Sequence, residues 1–177
     1  MRKINRRQVS LVTLTKDSNK EKIIAQYWPQ ISRAASGYEN RPALSDELAQ
    51  EMALSVWRSL DGFSEQCSLN TYIYRVIHNT AIDHIRRHSR LSEDELDEAT
   101  LCERVSPEAS ALQAQRQKQL LIAINKLPLS LRQVMLLKLE DLNNVEISDV
   151  LGISDTNVGI RLHRAKEQLS KLLKGLN

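Results

Sequence analysis

The sequence predicts an all-α protein built as two small helical domains joined by an acidic linker, and three observations carry that reading. Helix-forming Leu, Ala, Glu, Gln, Lys and Arg dominate, while glycine and proline number only 5 and 4 in 177 residues. Apolar residues recur every third or fourth position in segments on both sides of the middle of the chain. Between those segments, LSEDELDEATLCERVSPEAS, from Leu91 to Ser110, combines dense acid, Pro107 and no clear period, as a linker does. The boundaries read as a basic flexible arm at 1–18, a first domain at 19–90, the linker at 91–111 and a second domain at 112–177.

The formal net charge of +3 hides a strong division along the chain. Residues 1–90 carry 14 basic and 9 acidic side chains, residues 91–110 carry 1 and 7, and residues 111–177 carry 10 and 6. Two basic blocks flank an acidic connector, which points to a polyanionic partner for the blocks. No apolar run approaches the roughly 20 residues that cross a bilayer, and the amino terminus lacks the apolar core of a signal peptide. The expected location is the cytoplasm, without membrane insertion. Cys67 and Cys102 stand far apart and outside any CxxC pair, so they are expected as reduced thiols.

In chain order, the arm holds Arg2, Lys3, Arg6 and Arg7 without a sustained period. A helix is expected from about Asn19, with Ile23, Ile24, Tyr27, Trp28 and Ile31 apolar. Pro29 is expected to kink or divide it by removing a backbone donor. Gly37 and the following ENRP form a loop. Ser45 is placed as the cap of the next helix, which reaches about Asp61 and turns Leu48, Met52, Val56 and Leu60 to the core. Tyr27, Trp28 and Trp57 are assigned to core as well. A second face of the Ser45 helix carries Glu47, Gln50, Glu51 and Leu54. It reads as an acidic strip for a basic protein partner or as ordinary solvated surface.

After a loop from Asp61 and a capping Asn70 comes TYIYRVIHNTAIDHIRRHSR, Thr71 to Arg90. At about 100° per residue, Tyr72, Arg75, Asn79, Asp83, Arg86 and Arg90 fall within roughly a quarter of the circle. Ile73, Val76, Ile77, Thr80 and Ala81 form a neighbouring apolar stripe. A core helix needs only the stripe. The second line adds a ring, an amide and guanidinium groups, the means to contact phosphates and stack bases.

In the second half, helix is expected from near Leu112 to Lys126, stopped by Pro128. Ser130 caps LRQVMLLKLE. Asn143 and Glu146 stand at capping-box spacing before a short helix that Gly152 ends, and Ser154 caps DTNVGIRLHRAKEQLSKLLK, which Gly175 closes. A short helix, a glycine turn, Ile153 and a second capped helix make a helix-turn-helix. On its second helix Val158, Leu162, Ala165, Leu169 and Leu173 share the packing arc. Thr156, Asn157, Ile160, His163, Arg164 and Glu167 lie opposite, flanked by Arg161 and Lys166. That face suits a major groove: Arg164 for guanine or phosphate, Asn157 for adenine, Ile160 for a thymine methyl.

Catalytic machinery is not visible. There is no phosphate-cradling GxxxxGK[ST], no GxSxG and no Cys/His pair at nucleophile spacing. His84 and His88, four apart, could share a metal but have no third ligand in the sequence nearby. The expectation is therefore a non-enzyme with no cofactor, no metal and no small-molecule substrate.

Together SDELAQEMALSVWRSLDGF, SLNTYIYRVIHNTAIDHIRR, the acidic connector, INKLPLSLRQVMLL and VEISDVLGISDTNVGIRLHRAKEQL resemble, in that order, a sigma factor of the sigma-70 family in its two-domain, extracytoplasmic-function form. The resemblance covers about residues 20–175. It implies a region 2 domain and a region 4 domain riding on core RNA polymerase, with promoter DNA and an anti-sigma factor as further partners. By that resemblance Glu47, Gln50, Glu51 and Leu54 dock on the polymerase. Asn70, Tyr72, Arg75 and Asn79 hold a flipped non-template base of the minus-ten element, and Arg86, Arg87 and Arg90 grip the backbone. Thr156, Asn157, Ile160, Arg161, His163, Arg164 and Lys166 read the minus-thirty-five element. Gly159 and Ile160 stand where many relatives carry a basic or polar pair. The rival reading is a helix-turn-helix regulator that acts as a dimer without polymerase.

Overall fold

The computed structural model describes the backbone of residues 6–91 and 109–174, with side chains described at 17–88, 115–117 and 119–174. Among these residues the elements are all helical: α1 (Arg6–Tyr38), α2 (Pro42–Ser59), a 3₁₀ turn (Leu60–Gly62), α3 (Leu69–Leu91), α4 (Ala109–Asn125), α5 (Leu129–Leu139), α6 (Asn144–Leu151) and α7 (Asp155–Lys174). No helix among them is long and apolar enough to cross a membrane.

Several boundaries depart from the sequence reading. Helix α1 starts at Arg6, inside the stretch expected as a flexible arm, because nothing between Arg6 and Pro29 breaks a helix. It also runs through Pro29. Pro29 and Ala25, four residues before it, are both exposed, so the carbonyl that loses its donor faces water. Gly37 lies in the last turn of α1 rather than in a loop. A Cβ there would fall on the methyl groups of Leu136, so the missing side chain lets α1 approach α5. Pro42 opens α2 after Arg41, and Ser45 is buried against the Ser36 hydroxyl at 3.3 Å instead of capping. Ser68, not Asn70, caps α3, its hydroxyl accepting from the Thr71 amide at 3.0 Å. Pro128, not Ser130, precedes α5. The linker residues 92–108, and Gly175, lie outside the described residues.

The caps of the helix-turn-helix match the sequence reading. The Glu146 amide donates to Asn143 Oδ1 at 3.0 Å, and the Asn143 amide donates to the Glu146 carboxylate at 2.7 Å. Gly152 adopts φ 65°, which lets its own amide and that of Ile153 both reach the Ser148 carbonyl. The Ser154 hydroxyl accepts from Asn157 at the start of α7.

Helices α1, α2 and α3 pack on one another, as do α5, α6 and α7, but the two groups are not separate. Tyr27, Ile31, Leu48, Met52, Val56, Ile73 and Ile77 share a continuous apolar core with Ile124, Leu127, Leu131, Met135 and Leu136. A second cluster joins Tyr74 of α3 to Val134, Leu137, Leu142, Ile147, Val150, Val158 and Leu162. Trp28, assigned to core from the sequence, is 43% exposed, and Trp57 is half-buried with Lys20 over its ring. Only Tyr27 of the three fills core.

Polar groups complete the joint. The Arg132 guanidinium donates to the carbonyls of Tyr38 at 3.3 Å and Leu127 at 3.2 Å, and to that of Asn125. It thereby satisfies last-turn acceptors of α1 and α4 that have no helical donor. His78 is fully buried and bonded through Nδ1 to the Tyr38 hydroxyl. Burial pushes the imidazole down to about 3. The unfolded imidazole takes up a proton below its ordinary value near 6.5, whereas the folded one stays neutral, so acid favours unfolding between those limits. This residue is expected to remove about 1.4 kcal/mol of stability per pH unit as pH falls through that window, and to contribute nothing above it. Urea titrations of the parent and of His78→Gln check this: the variant's stability should fall less steeply, and equal slopes would assign the pH dependence elsewhere.

Candidate nucleic-acid and polymerase interfaces

Helix α2 presents its second face as read. Glu47, Gln50 and Leu54 are exposed, Leu54 by 47%. An exposed leucine between polar neighbours suits a protein contact. Glu51 differs from them. Its carboxylate pairs with the Arg87 guanidinium and lies 3.3 Å from Nδ1 of the buried His84, so it ties α2 to α3. Glu51 and Arg87 were expected to meet polymerase and DNA respectively, and here they meet each other. Their spacing on separate helices gave no sign of this pairing. His84 stacks near His88 with ring centroids 4.2 Å apart, and among the described residues no group of three metal-ligating side chains forms.

The line on α3 is exposed at Arg75, Asn79, Asp83 and Arg86, while Ile73, Ile77 and Ala81 are fully buried. Tyr72 is fixed at its foot. Its hydroxyl donates to the Ser59 carbonyl at 2.9 Å, and its ring packs on Phe63 with centroids 4.9 Å apart. Asn70 accepts a hydrogen bond from the Tyr27 hydroxyl at 3.2 Å. Phe63 was not among the residues singled out from sequence, and Tyr27 was assigned to core without this bond. The 3₁₀ turn brings in Phe63 and the packing of α1 on α3 brings in Tyr27, and no local pattern announces either contact. Arg86 pairs with Asp83 at 3.7 Å along the helix. The side chain of Arg90 lies outside the described residues.

The buried arc of α3 is wider than the stripe read from sequence. Tyr74 and His78 are buried on its far flank, Tyr74 against residues of α5 and α6 and His78 against Tyr38 of α1. Glu140, at the end of α5, receives Arg33 in a two-point pair at 2.7 and 2.6 Å and the Tyr74 hydroxyl at 3.3 Å. The Glu140 carboxylate holds the Arg33 guanidinium protonated above its usual range, and burial, followed by Glu140, raises the Tyr74 hydroxyl. Arg75 donates to the Asp149 carbonyl of α6 at 2.6 Å.

On α7, Val158, Leu162, Ala165 and Leu169 are buried, and Thr156, Ile160, His163, Arg164 and Lys166 are exposed. Ile160 is 47% exposed. Asn157 and Arg161 are half-buried and joined, Arg161 donating to Asn157 Oδ1 at 3.0 Å, which orients the amide that was expected to meet adenine. His163 lies 3.7 Å from Glu167.

A helix-turn-helix with an exposed face on α7 stands in one half of the chain, and a helix with an exposed basic line, α3, in the other. Residues 23–91 match the family described as Sigma-70 region 2, and residues 117–169 match Sigma-70, region 4. The chain is 27% identical to the ECF RNA polymerase sigma factor SigW of Bacillus subtilis over 75% of this chain and 76% of that one. It is 24% identical to the ECF RNA polymerase sigma-E factor of Haemophilus influenzae over 87% of each. In fold it is similar to the sigma factor RpoE of Bartonella quintana, solved with the anti-sigma factor NepR, at TM-score 0.69 and 17% identity over 87% of this chain and 96% of that one. It is likewise similar to CnrH, solved with the cytosolic domain of CnrY, at TM-score 0.64 and 20% identity over 93% and 96%. The chain belongs to the sigma-70 family of RNA polymerase sigma factors, in its ECF group: it is a transcription-initiation factor and not an enzyme.

Proposed function

We propose that residues 19–90 dock this sigma factor on core RNA polymerase and open the minus-ten element, while residues 112–177 read the minus-thirty-five element as duplex, the acidic segment 91–111 joining them. The protein acts in the cytoplasm, and an anti-sigma protein is a further partner. The observation that carries the reading is the single line on α3 in which Tyr72, backed by Phe63, stands beside exposed Arg75, Asn79 and Arg86. A base leaving the duplex costs a few kcal/mol in lost stacking, which a ring and an amide at that site would offset while the guanidinium groups hold the strand.

Glu47, Gln50 and Leu54 form the docking face. Glu51 supports it from behind by fixing α2 to α3 through His84 and Arg87. On α7, Arg164, Thr156 and Ile160 face the groove, with Asn157 steered by Arg161 and with His163 and Lys166 towards the backbone.

Two results test this. With holoenzyme assembled on a promoter it uses, permanganate should mark unpaired thymines in the minus-ten element. Tyr72→Ala should reduce that reactivity at least tenfold without loss of closed-complex binding, and undiminished reactivity would remove Tyr72 from strand opening. Arg164→Ala should weaken binding to upstream duplex by about 1 to 3 kcal/mol and relax base preference at one position. An equal loss on every sequence, measured by anisotropy, would assign Arg164 to phosphate.

A further inference from the structure

Asn157 and Arg161 stand one turn apart near the start of α7, and the bond between them decides what the amide can offer a base. Arg161 Nε donates to Asn157 Oδ1 at 3.0 Å. A guanidinium has donors and no acceptor, so the amide has to turn its oxygen to Arg161 and cannot present its amine there. The backbone beneath is held as well, because the Asn157 amide donates to the Ser154 hydroxyl at 3.2 Å.

The direction of that turn follows from the helical period. At about 100° per residue, Arg161 lies between Asn157 and the buried arc of Val158, Leu162 and Ala165, whereas Ile160 and Arg164 lie on the other side of Asn157. Arg161 is accordingly half-buried, while Ile160 and Arg164 are exposed. The Asn157 oxygen is therefore drawn towards the packed side of the helix, and its Nδ2 is left for the exposed side.

An amide reads adenine by accepting from N6 and donating to N7, which requires its oxygen and its amine on the base edge together. Guanine offers N7 and O6, two acceptors side by side, to a group that only donates. We propose that Arg161 sets the base preference of the recognition helix: by holding Asn157 Oδ1 it makes Asn157 a donor-only reader that selects guanine over adenine at one position of the minus-thirty-five element. Arg161 acts here as a positioning residue and needs no contact with that base. The proposal rests on residues 112–177 reading duplex DNA, and it replaces the adenine pairing expected of Asn157 from the sequence.

Holoenzyme assembled with the full chain, on a promoter it uses, tests this when the minus-thirty-five element is varied one position at a time and transcript yield is read for each base. The position whose preference Asn157→Ala relaxes should favour guanine over adenine by about tenfold in the parent. Arg161→Met keeps an unbranched stem for packing and removes the donor, so the freed amide should accept adenine and guanine should lose its advantage at that position alone. Asn157→Asp keeps an oxygen for Arg161 but has no donor left for the groove. Its preference should move to cytosine, whose N4 donates.

If Arg161→Met loses its helical circular dichroism, Asn157→Asp carries the test, since it leaves Arg161 and its packing in place. Adenine favoured by the parent at the Asn157 position would overturn the proposal, and so would guanine still favoured by folded Arg161→Met or by Asn157→Asp. Arg164→Ala separates this failure from that of the reading beneath it. If Arg164→Ala and Asn157→Ala both leave every position unaltered, α7 does not read the element at all. If Arg164→Ala relaxes one position and Asn157→Ala relaxes none, duplex reading stands and only the role of the Asn157 and Arg161 pair is overturned.

Discussion

Glu47→Lys combined with Leu54→Asp is expected to weaken association with core RNA polymerase at least a hundredfold and to remove sigma-dependent transcription. Both side chains are exposed on the same face of α2, one supplying charge and the other apolar area. A buried apolar anchor at the centre of an interface commonly contributes 2 kcal/mol or more, and reversing a complementary charge adds repulsion to the loss. Neither residue supports the fold, so thermal unfolding followed by circular dichroism should shift little. Glu51 is deliberately left in place. Its carboxylate holds Arg87 and faces buried His84, and reversing it would confuse loss of docking with loss of packing. Polymerase affinity measured by fluorescence anisotropy decides the matter, and parental affinity in the double variant would remove α2 from the docking surface.

Arg132→Ala is expected to destabilise the protein by about 3 kcal/mol, a large share of the 5–15 kcal/mol that ordinary domains possess. The guanidinium answers carbonyls of Tyr38 and Asn125, which end two different helices, and that of Leu127 in the turn after the second. Alanine would leave those acceptors facing a cavity in place of a donor. Burial lowers the Arg132 guanidinium from its usual value, with Tyr38 and Glu39 acting in the opposite direction. Lysine has one donor centre and cannot reach all three carbonyls, so Arg132→Lys should recover only part of the loss. Urea unfolding measures both. A change below about 1 kcal/mol for Arg132→Ala would mean that water replaces the guanidinium at the helix ends.

What the sequence revealed follows physical range. The capping box at Asn143 and Glu146 and the left-handed turn at Gly152 are local, and both stand where spacing put them. So do the buried and exposed arcs of α7, because a helix sorts its faces by period alone. Pro29 and Gly37 misled, since each is judged by what lies around it. Pro29 is harmless where its missing bond faces water, and Gly37 sits in a helix because Leu136 crosses there. Among site residues, Glu51 and Arg87 look equally available in the sequence and prove to be each other's partner. Phe63, Glu140 and Tyr74 carry no pattern at all, and the apolar period that placed Tyr27 in the core said nothing of its bond to Asn70. Each acquires its role from a contact more than eight residues away, which no period records.

Transcript mapping with purified core polymerase on a library of genomic fragments is the most direct measurement. Adding the chain should create discrete start sites, each preceded by the same two short elements about two helical turns apart, and the Glu47→Lys, Leu54→Asp variant should create none. Start sites unaltered by the chain, together with its binding as a homodimer to a palindromic duplex, would contradict a promoter-selecting subunit and leave a helix-turn-helix regulator in its place.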